Sequence, residues 1–294
     1  MDTMLVTIII ACYNAEQYIQ DTLDSCINQT YSNVQIIIAD DCSKDNSVNI
    51  INNWIEARRK THPHTECILI TNDKNRGIPA NFNNGLRYAK GEWIKCLGSD
   101  DLLVADAISK FVERIELEPY KVNTGAIFTY FETFGDVNIS HRYPLAWTKW
   151  ISAMQPSAFK RCMANIHFNN LAPGAFINKA FLESFDTNYW LLEDLPLWLK
   201  LINADVRTSF YDIVSVKYRI HARQVTALGT RNNEILFNDL KKLNKIRLKN
   251  KHIIAYMHNK FNLYCIGKRK YLKILNPINI FIKLIEKGFS KCLF

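Results

Sequence analysis

No stretch of about 18 or more consecutive apolar residues occurs in this 294-residue chain, so no membrane-spanning helix is expected. The eight cysteines form no CxxC pair and keep no regular spacing, which argues against a disulfide framework and against a zinc site. Cys12, Cys26, Cys42, Cys67 and Cys96 lie in or beside predicted core elements, as the reduced, packed thiols of a cytosolic protein do. No basic leader precedes the first apolar run, so Leu5 to Cys12 reads as a strand rather than a signal peptide. Internal repeats and low-complexity linkers are missing. So is a Gly-rich basic loop near the first strand that would cradle a triphosphate.

Apolar residues make up 48% of the chain and charged residues 22%, the proportions of a globular protein long enough for one large domain or two ordinary ones. The formal charge of +9 is unevenly placed. Residues 229–294 hold 15 Lys/Arg against 3 Asp/Glu, a net of +12, and residues 1–228 hold 22 against 25. A near-neutral body with a basic tail points to an anionic surface, membrane or nucleic acid. The acidic body argues against a nucleic-acid-binding protein.

Leu5 to Ala11 is an unbroken apolar, β-branched run, the pattern of a strand covered on both faces. Asn14 offers a helix N-cap with Gln17 as its capping-box partner. Val34 to Ala39, Cys67 to Thr71 and Trp93 to Leu97 read as further strands. Between them lie helical patterns, one capped by Asp45, one begun by Pro79 and running to Ala89, and one striped by Ile108, Phe111, Val112 and Ile115 after the fourth strand. This alternation predicts a parallel, doubly wound sheet. Later, Ala126 to Phe134 and Gly174 to Ile177 read as strands, Lys179 to Phe185 as a short helix, and Leu195 to Ile202 as a helix. Val206 to Tyr211 and Val214 to Tyr218 read as a strand pair, and the chain is helical from about Arg231. Residues 135–172 are irregular and aromatic and carry no assigned element.

Ligands of an open α/β sheet bind beyond the carboxyl ends of its strands. Tyr13-Asn14, Asp40-Asp41, Asn72-Asp73 and Asp100-Asp101 all follow predicted strands, and Glu193-Asp194 opens a later helix. An Asp-Asp pair after a strand is commonly only a turn and a cap, so the convergence carries more than any one pair. Carboxylates grip a phosphate only through a cation, and Mg²⁺ or Mn²⁺ prefers oxygen ligands. Asp100 and Asp101 therefore suit a metal–diphosphate site. Asp40 or Asp41 suits hydrogen bonding to a base or ribose, and Arg76 supplies a cation nearby. A nucleotidyltransferase also uses paired aspartates with metals and stands as the alternative chemistry.

In order and spacing, these motifs resemble the family 2 glycosyltransferases of the GT-A fold, particularly bacterial enzymes of O-antigen, capsule and lipopolysaccharide synthesis. The resemblance runs over roughly residues 4–225. It is carried by Val6 to Asn14, by Ile36 to Ser47 (IIIADDCSKDNS), by Asn75-Arg76-Gly77 through Ser99-Asp100-Asp101, by Glu193-Asp194-Leu195-Pro196-Leu197-Trp198, and by Arg219-Ile220-His221. It implies a Rossmann-like, mostly parallel sheet flanked by helices over residues 1–228, with a nucleotide-sugar half (1–118) and an acceptor half (119–228). The charge and helical pattern of 229–294 add a basic amphipathic helical extension. The resemblance further implies a nucleotide-sugar donor, a UDP-hexose, bound by Ala11, Tyr13, Asp40, Asp41, Arg76 and Asp100. Mn²⁺ or Mg²⁺ would be held by Asp100, Asp101 and His221. Asp194 would act as general base with Glu193 as its neighbour or substitute. Two places depart from the family pattern. Cys12 stands where a proline is usual, and Gly98 stands where the DxD motif commonly begins with Asp.

The expected reaction is inverting transfer of a hexose to a saccharide or a polyprenyl-diphosphate-linked saccharide, with no nucleic acid involved. Ile278, Phe281, Ile282, Ile285 and Phe289 share a helical face flanked by Lys283 and Lys287. That pattern reads as an interfacial helix on the cytoplasmic face of the inner membrane, or as a face packed on protein.

Overall fold

A computed structural model describes residues 4–144, 171–224, 230–268 and 280. Its elements are β1 (Val6–Cys12), α1 (Ile19–Ile27), β2 (Val34–Asp40), α2 (Ser47–Thr61), β3 (Glu66–Thr71), α3 (Ile78–Leu86), β4 (Trp93–Gly98), β5 (Leu102–Leu103), α4 (Ala107–Glu116), β6 (Thr124–Gly135), β7 (Arg142–Tyr143), β8 (Ala175–Asn178), α5 (Asp194–Asn203), β9 (Arg207–Ile220), α6 (Thr230–Lys249) and α7 (Ile253–Lys268). They fall into two compact units, the first holding the described residues through 224 and the second α6 and α7.

The first unit is one mixed, mostly parallel sheet in the order β3-β2-β1-β4-β8-β6-β9-β5, with β7 paired to β6. The unbroken apolar runs form its centre. Val6, Ile8, Ile9 and Ile10 of β1 and Ile36, Ile37 and Ile38 of β2 are fully buried. Each such side chain contributes roughly 1.5–3 kcal/mol by leaving water. α1 and α2 are tied together by Asp24, which accepts from Trp54 Nε1 at 2.8 Å and Arg58 NH2 at 2.6 Å. β3, at the edge, is only partly covered.

Three local expectations are corrected. Asn14 does not cap α1, which starts at Ile19. Asn14 instead takes a left-handed conformation (φ 51°) that asparagine tolerates, and its Oδ1 accepts from Lys44 N at 2.8 Å, tying the loop after β1 to the loop after β2. Lys179 to Phe185 yields only a 3-10 turn, Lys179–Phe181. There Asn83 takes Phe185's backbone N–H and C=O (2.7 and 2.8 Å), so tertiary hydrogen bonds replace helical ones. Val206 to Tyr211 and Val214 to Tyr218 do not pair with each other. They are one strand, β9, parallel to β6 with register shifts. Tyr211-Asp212-Ile213 has no Gly or Asn for a tight hairpin turn, so the extra residues are absorbed as irregularities of the ladder.

Among the described residues no helix is long and apolar enough to cross a membrane. The apolar face predicted at Ile278, Phe281, Ile282, Ile285 and Phe289 lies outside the described residues, as does most of 135–172.

Candidate active site

The parallel register sets the strand ends level. Cys12 pairs with Asp40, Ala11 with Gly98, and Asp40 with Thr71. Tyr13, Asp41, Asn72 and Ser99 therefore leave the sheet along one edge. β8 is antiparallel to β4 and to β6, and β9 is parallel to β6, so β9 runs in the direction of β4 and delivers His221 to that same edge.

Asp100 and His221 meet there, with Asp100 Oδ2 at 2.9 Å from His221 Nε2. Arg223 N approaches His221 Nδ1 at 3.3 Å, which leaves Nε2 as the ring nitrogen that faces Asp100. The imidazole also packs on Tyr18, with ring centroids 4.5 Å apart. Asp101 is buried, and its Oδ1 accepts from Arg219 N at 2.9 Å. Burial first, and the neighbouring Asp100 second, hold its carboxyl well above the usual carboxylate range. The two aspartates thus differ, Asp100 facing the cleft and Asp101 facing the interior. Gly98 has a physical reason: a Cβ there would lie 2.7 Å from Asp100 Oδ1, so the turn has no room for a side chain while Asp100 is so placed.

Arg219, to which sequence reading gave no role of its own, braces this turn. Its Nε donates to Asp100 O at 2.8 Å, its NH2 to Asp21 at 3.0 Å, and its guanidinium lies over Tyr18 and Phe134 at 4.9 and 4.6 Å. The only signal for it was its position two residues before His221. Lys95 was also missed, because it sits inside an otherwise apolar strand. It is fully buried, donates to Pro173 O and Ala175 O, and desolvation lowers its ammonium to about 8.

Asp40 and Asp41 have separate tasks. Asp40 is buried and closes the turn after β2, accepting from Ser43 N at 2.9 Å and from Ser43 Oγ. Cys12 lies beside it, and burial chiefly, then Asp40, push that thiol up to about 12. Asp41 accepts from Asn72 Nδ2 at 2.8 Å, Arg76 N at 2.9 Å and Gly77 N at 2.9 Å, so it shapes the 72–77 loop. Arg76's side chain is half exposed and ion-paired to Asp73 at 2.7 Å. Tyr13 is also about half exposed (48%), and Ala11 presents its carbonyl to Ser99 N at 3.2 Å.

The segment that precedes Glu193 and Asp194 meets the edge by another route. Gly77 (φ 84°) lies against Trp190, whose carbonyl accepts from Ile78 N at 2.9 Å, and a Cβ at Gly77 would come within 2.7 Å of that oxygen. The segment leading to α5 is thereby seated on the loop that Asp41 organises. Burial raises Glu193 to about 8, with Asp194 adding to the rise, and burial raises Asp194 to about 6. Asp194 opens α5, whose N-terminal amides offset part of its cost. Glu193's charge is also felt by Cys96 of β4, which links the pair to the strand leading to Asp100.

Among the described residues no three His, Cys, Asp or Glu side chains form a metal cage. A carboxylate and an imidazole facing one another nevertheless fit a divalent ion that takes its remaining ligands from a bound diphosphate, the usual manner of Mg²⁺.

Comparison with known proteins bears on the family and the fold. Residues 7–185 match the family described as Glycosyl transferase family 2. The Escherichia coli UDP-Glc:alpha-D-GlcNAc-diphosphoundecaprenol beta-1,3-glucosyltransferase WfaP is 30% identical over 76% of this chain and 80% of its own length. The Escherichia coli enzyme WfgD, of the same description, is 25% identical over 77% and 81%. In fold, the chain is similar to S. aureus TarS 1-349 in complex with UDP-GlcNAc (TM-score 0.64, 17% identity, 88% of this chain and 73% of that one). It is similar also to the Pyrobaculum calidifontis mannosyltransferase PcManGT in complex with GDP-Man and Mn2+ (TM-score 0.57, 18% identity, 98% and 80%).

Proposed function

Since the chain belongs to glycosyltransferase family 2, we propose that it transfers a hexose, with inversion, from a UDP-sugar to a saccharide carried on a polyprenyl diphosphate, as a step in bacterial surface-polysaccharide synthesis. UDP-glucose is the first donor to test, because two relatives carry UDP-Glc in their names. The observation that supports this reading most is the gathering of Asp40, Asp100 and His221 at one sheet edge, with Glu193-Asp194 on the segment seated against it. Family membership sets aside the nucleotidyltransferase alternative.

In this reading Ala11, Tyr13 and Arg76 face the uridine, Asp40 holds the turn after β2 beneath it, and Asp41 holds the loop that carries Arg76. Asp100 and His221 would hold Mn²⁺ or Mg²⁺, with Asp101 fixing the turn from below. When bound, the ion offsets the negative charge that grows on the leaving diphosphate. The acceptor oxygen attacks the anomeric carbon, the bond from that carbon to the diphosphate oxygen breaks, and UDP departs with the electron pair. Asp194 takes the acceptor's hydroxyl proton, and its raised pKa of about 6 suits a base that works near neutrality. The proposed setting is the cytoplasmic face of the inner membrane, where a lipid-linked acceptor is within reach.

A panel of nucleotide sugars with a lipid-linked or short saccharide acceptor tests the reading. UDP release matched by a lengthened acceptor supports it. Release of inorganic diphosphate, or turnover with no UDP-sugar, refutes it.

A further inference from the structure

The helical pair of the second unit has a mixed interior and an apolar outer patch. Leu240 and Leu243 of α6 and Ala255 and Leu263 of α7 are buried, as a water-soluble hairpin requires. Buried with them are Asp239, Asn244 and Arg247 on α6 and His258 and Asn259 on α7. Three hydrogen bonds cross the pair: Asn259 Nδ2 donates to Asn244 Oδ1 at 2.9 Å and to Leu240 O at 3.2 Å, and Arg247 Nη1 donates to Ala255 O at 3.4 Å. Meanwhile Leu248 at the bend and Ile253, Ile254 and Met257 on α7 are each about half exposed (49–56%). Ile253 and Met257 are one turn apart with Ile254 beside them, so they form a single outward face that continues into the exposed Lys260. Lys245, Lys249 and Lys251, all exposed, surround the bend.

Such a surface needs an occupant that accepts apolar side chains and ammonium groups together. A second copy is a poor one. An isologous contact sets the same lysines against each other, in a region (229–294) that carries 15 Lys/Arg and 3 Asp/Glu. A nucleic acid would satisfy the lysines and leave the isoleucines in water. An anionic bilayer satisfies both, with side chains entering the acyl boundary and lysines at the headgroups. We propose that the bend of α6–α7 and the outer face of α7 form a binding surface for anionic phospholipid membranes. The inference rests on these two helices and needs neither the donor nor the acceptor of the proposed reaction.

The test is flotation of the full chain with vesicles of phosphatidylcholine alone and of phosphatidylcholine mixed with phosphatidylglycerol. The protein is expected to float with the anionic vesicles and not with the neutral ones, and to be released by salt. The triple variant Leu248→Ser/Ile254→Ser/Met257→Ser should lose at least about tenfold in partitioning. The double variant Lys249→Glu/Lys251→Glu should lose about fivefold or more for each lysine. All these side chains are exposed, so unchanged melting and unchanged sugar transfer to a water-soluble acceptor should accompany the loss. That result also separates membrane binding from the catalytic reading. Equal flotation with neutral vesicles overturns the proposal, and so does a triple variant that binds as the native chain does. A dimer in solution that the triple variant converts to monomer, with no flotation by either, assigns the face to a second copy and likewise overturns it.

Discussion

Glu193 and Asp194 are adjacent carboxyls with different environments, and the difference decides which one carries charge. Burial raises both carboxyls, and the neighbouring Asp194 adds to the rise at Glu193, which favours the shared charge resting on Asp194. Asp194→Asn is therefore expected to fold and to transfer sugar at least about a hundredfold more slowly, the usual scale of a general-base loss. Glu193→Gln, which mimics the protonated acid, should stay within a few fold of the native rate at pH 7. Initial rates of UDP release check both, and the reverse order would exchange the two roles. Gly98 is the second decisive residue. In Gly98→Ala the new methyl meets Asp100 Oδ1 at 2.7 Å, so Asp100 must turn away. Misplacing a ligand or its support commonly costs about 10–100-fold, and we expect that loss in activity and in Mn²⁺ dependence, read from metal titrations of the rate.

The elements that fix the site are a loop and two strand ends rather than any helix face. Asp41 satisfies two backbone N–H groups and one amide of the 72–77 loop at once. Asp41→Asn turns one acceptor oxygen into a donor and leaves a loop N–H without its partner, a loss of about 1–3 kcal/mol. The melting temperature should fall by several degrees, and donor affinity should fall with it, because Arg76 rides on that loop. Unchanged melting would show that the loop is held by other means. The strands and the edge they share were legible in the sequence, since unbroken β-branched runs can only be buried and acidic residues after them can only lie at their carboxyl ends. Asp100 and His221 were legible for the same reason together with the family motif. The division of labour between Asp40 and Asp41 was not, because which carboxylate turns inward depends on where a loop 30 residues later returns. Arg219 and Lys95 were hidden likewise. One lies in a strand whose partner is about 85 residues away in sequence, and the other donates to carbonyls 78 and 80 residues ahead.

Over the whole molecule, the same half-buried acids that are proposed to prepare the reaction set its stability against pH. Burial raises Asp194 to about 6 and Glu193 to about 8, above their unfolded values near 4, so from about pH 4 to 8 the folded chain binds more protons than the unfolded one. Stability then falls as pH rises through that window. His252, whose pKa burial lowers, acts in the opposite sense only below its ordinary value near 6.5. Above pH 8 the four buried or half-buried thiols Cys12, Cys26, Cys67 and Cys96, held at about 11–12, keep protons that the unfolded chain loses near 8.5, which continues the fall. Lys95, lowered to about 8, opposes them. The urea midpoint of the free protein should accordingly decline steadily from pH 6.5 to 9. Over the acid limb, from about pH 5 to 7, turnover should climb as Asp194 ionises. Parallel denaturation and rate profiles read the two curves. Coincident maxima would mean that Glu193 and Asp194 are solvated in the folded chain, and the half-buried acid pair would no longer account for either profile.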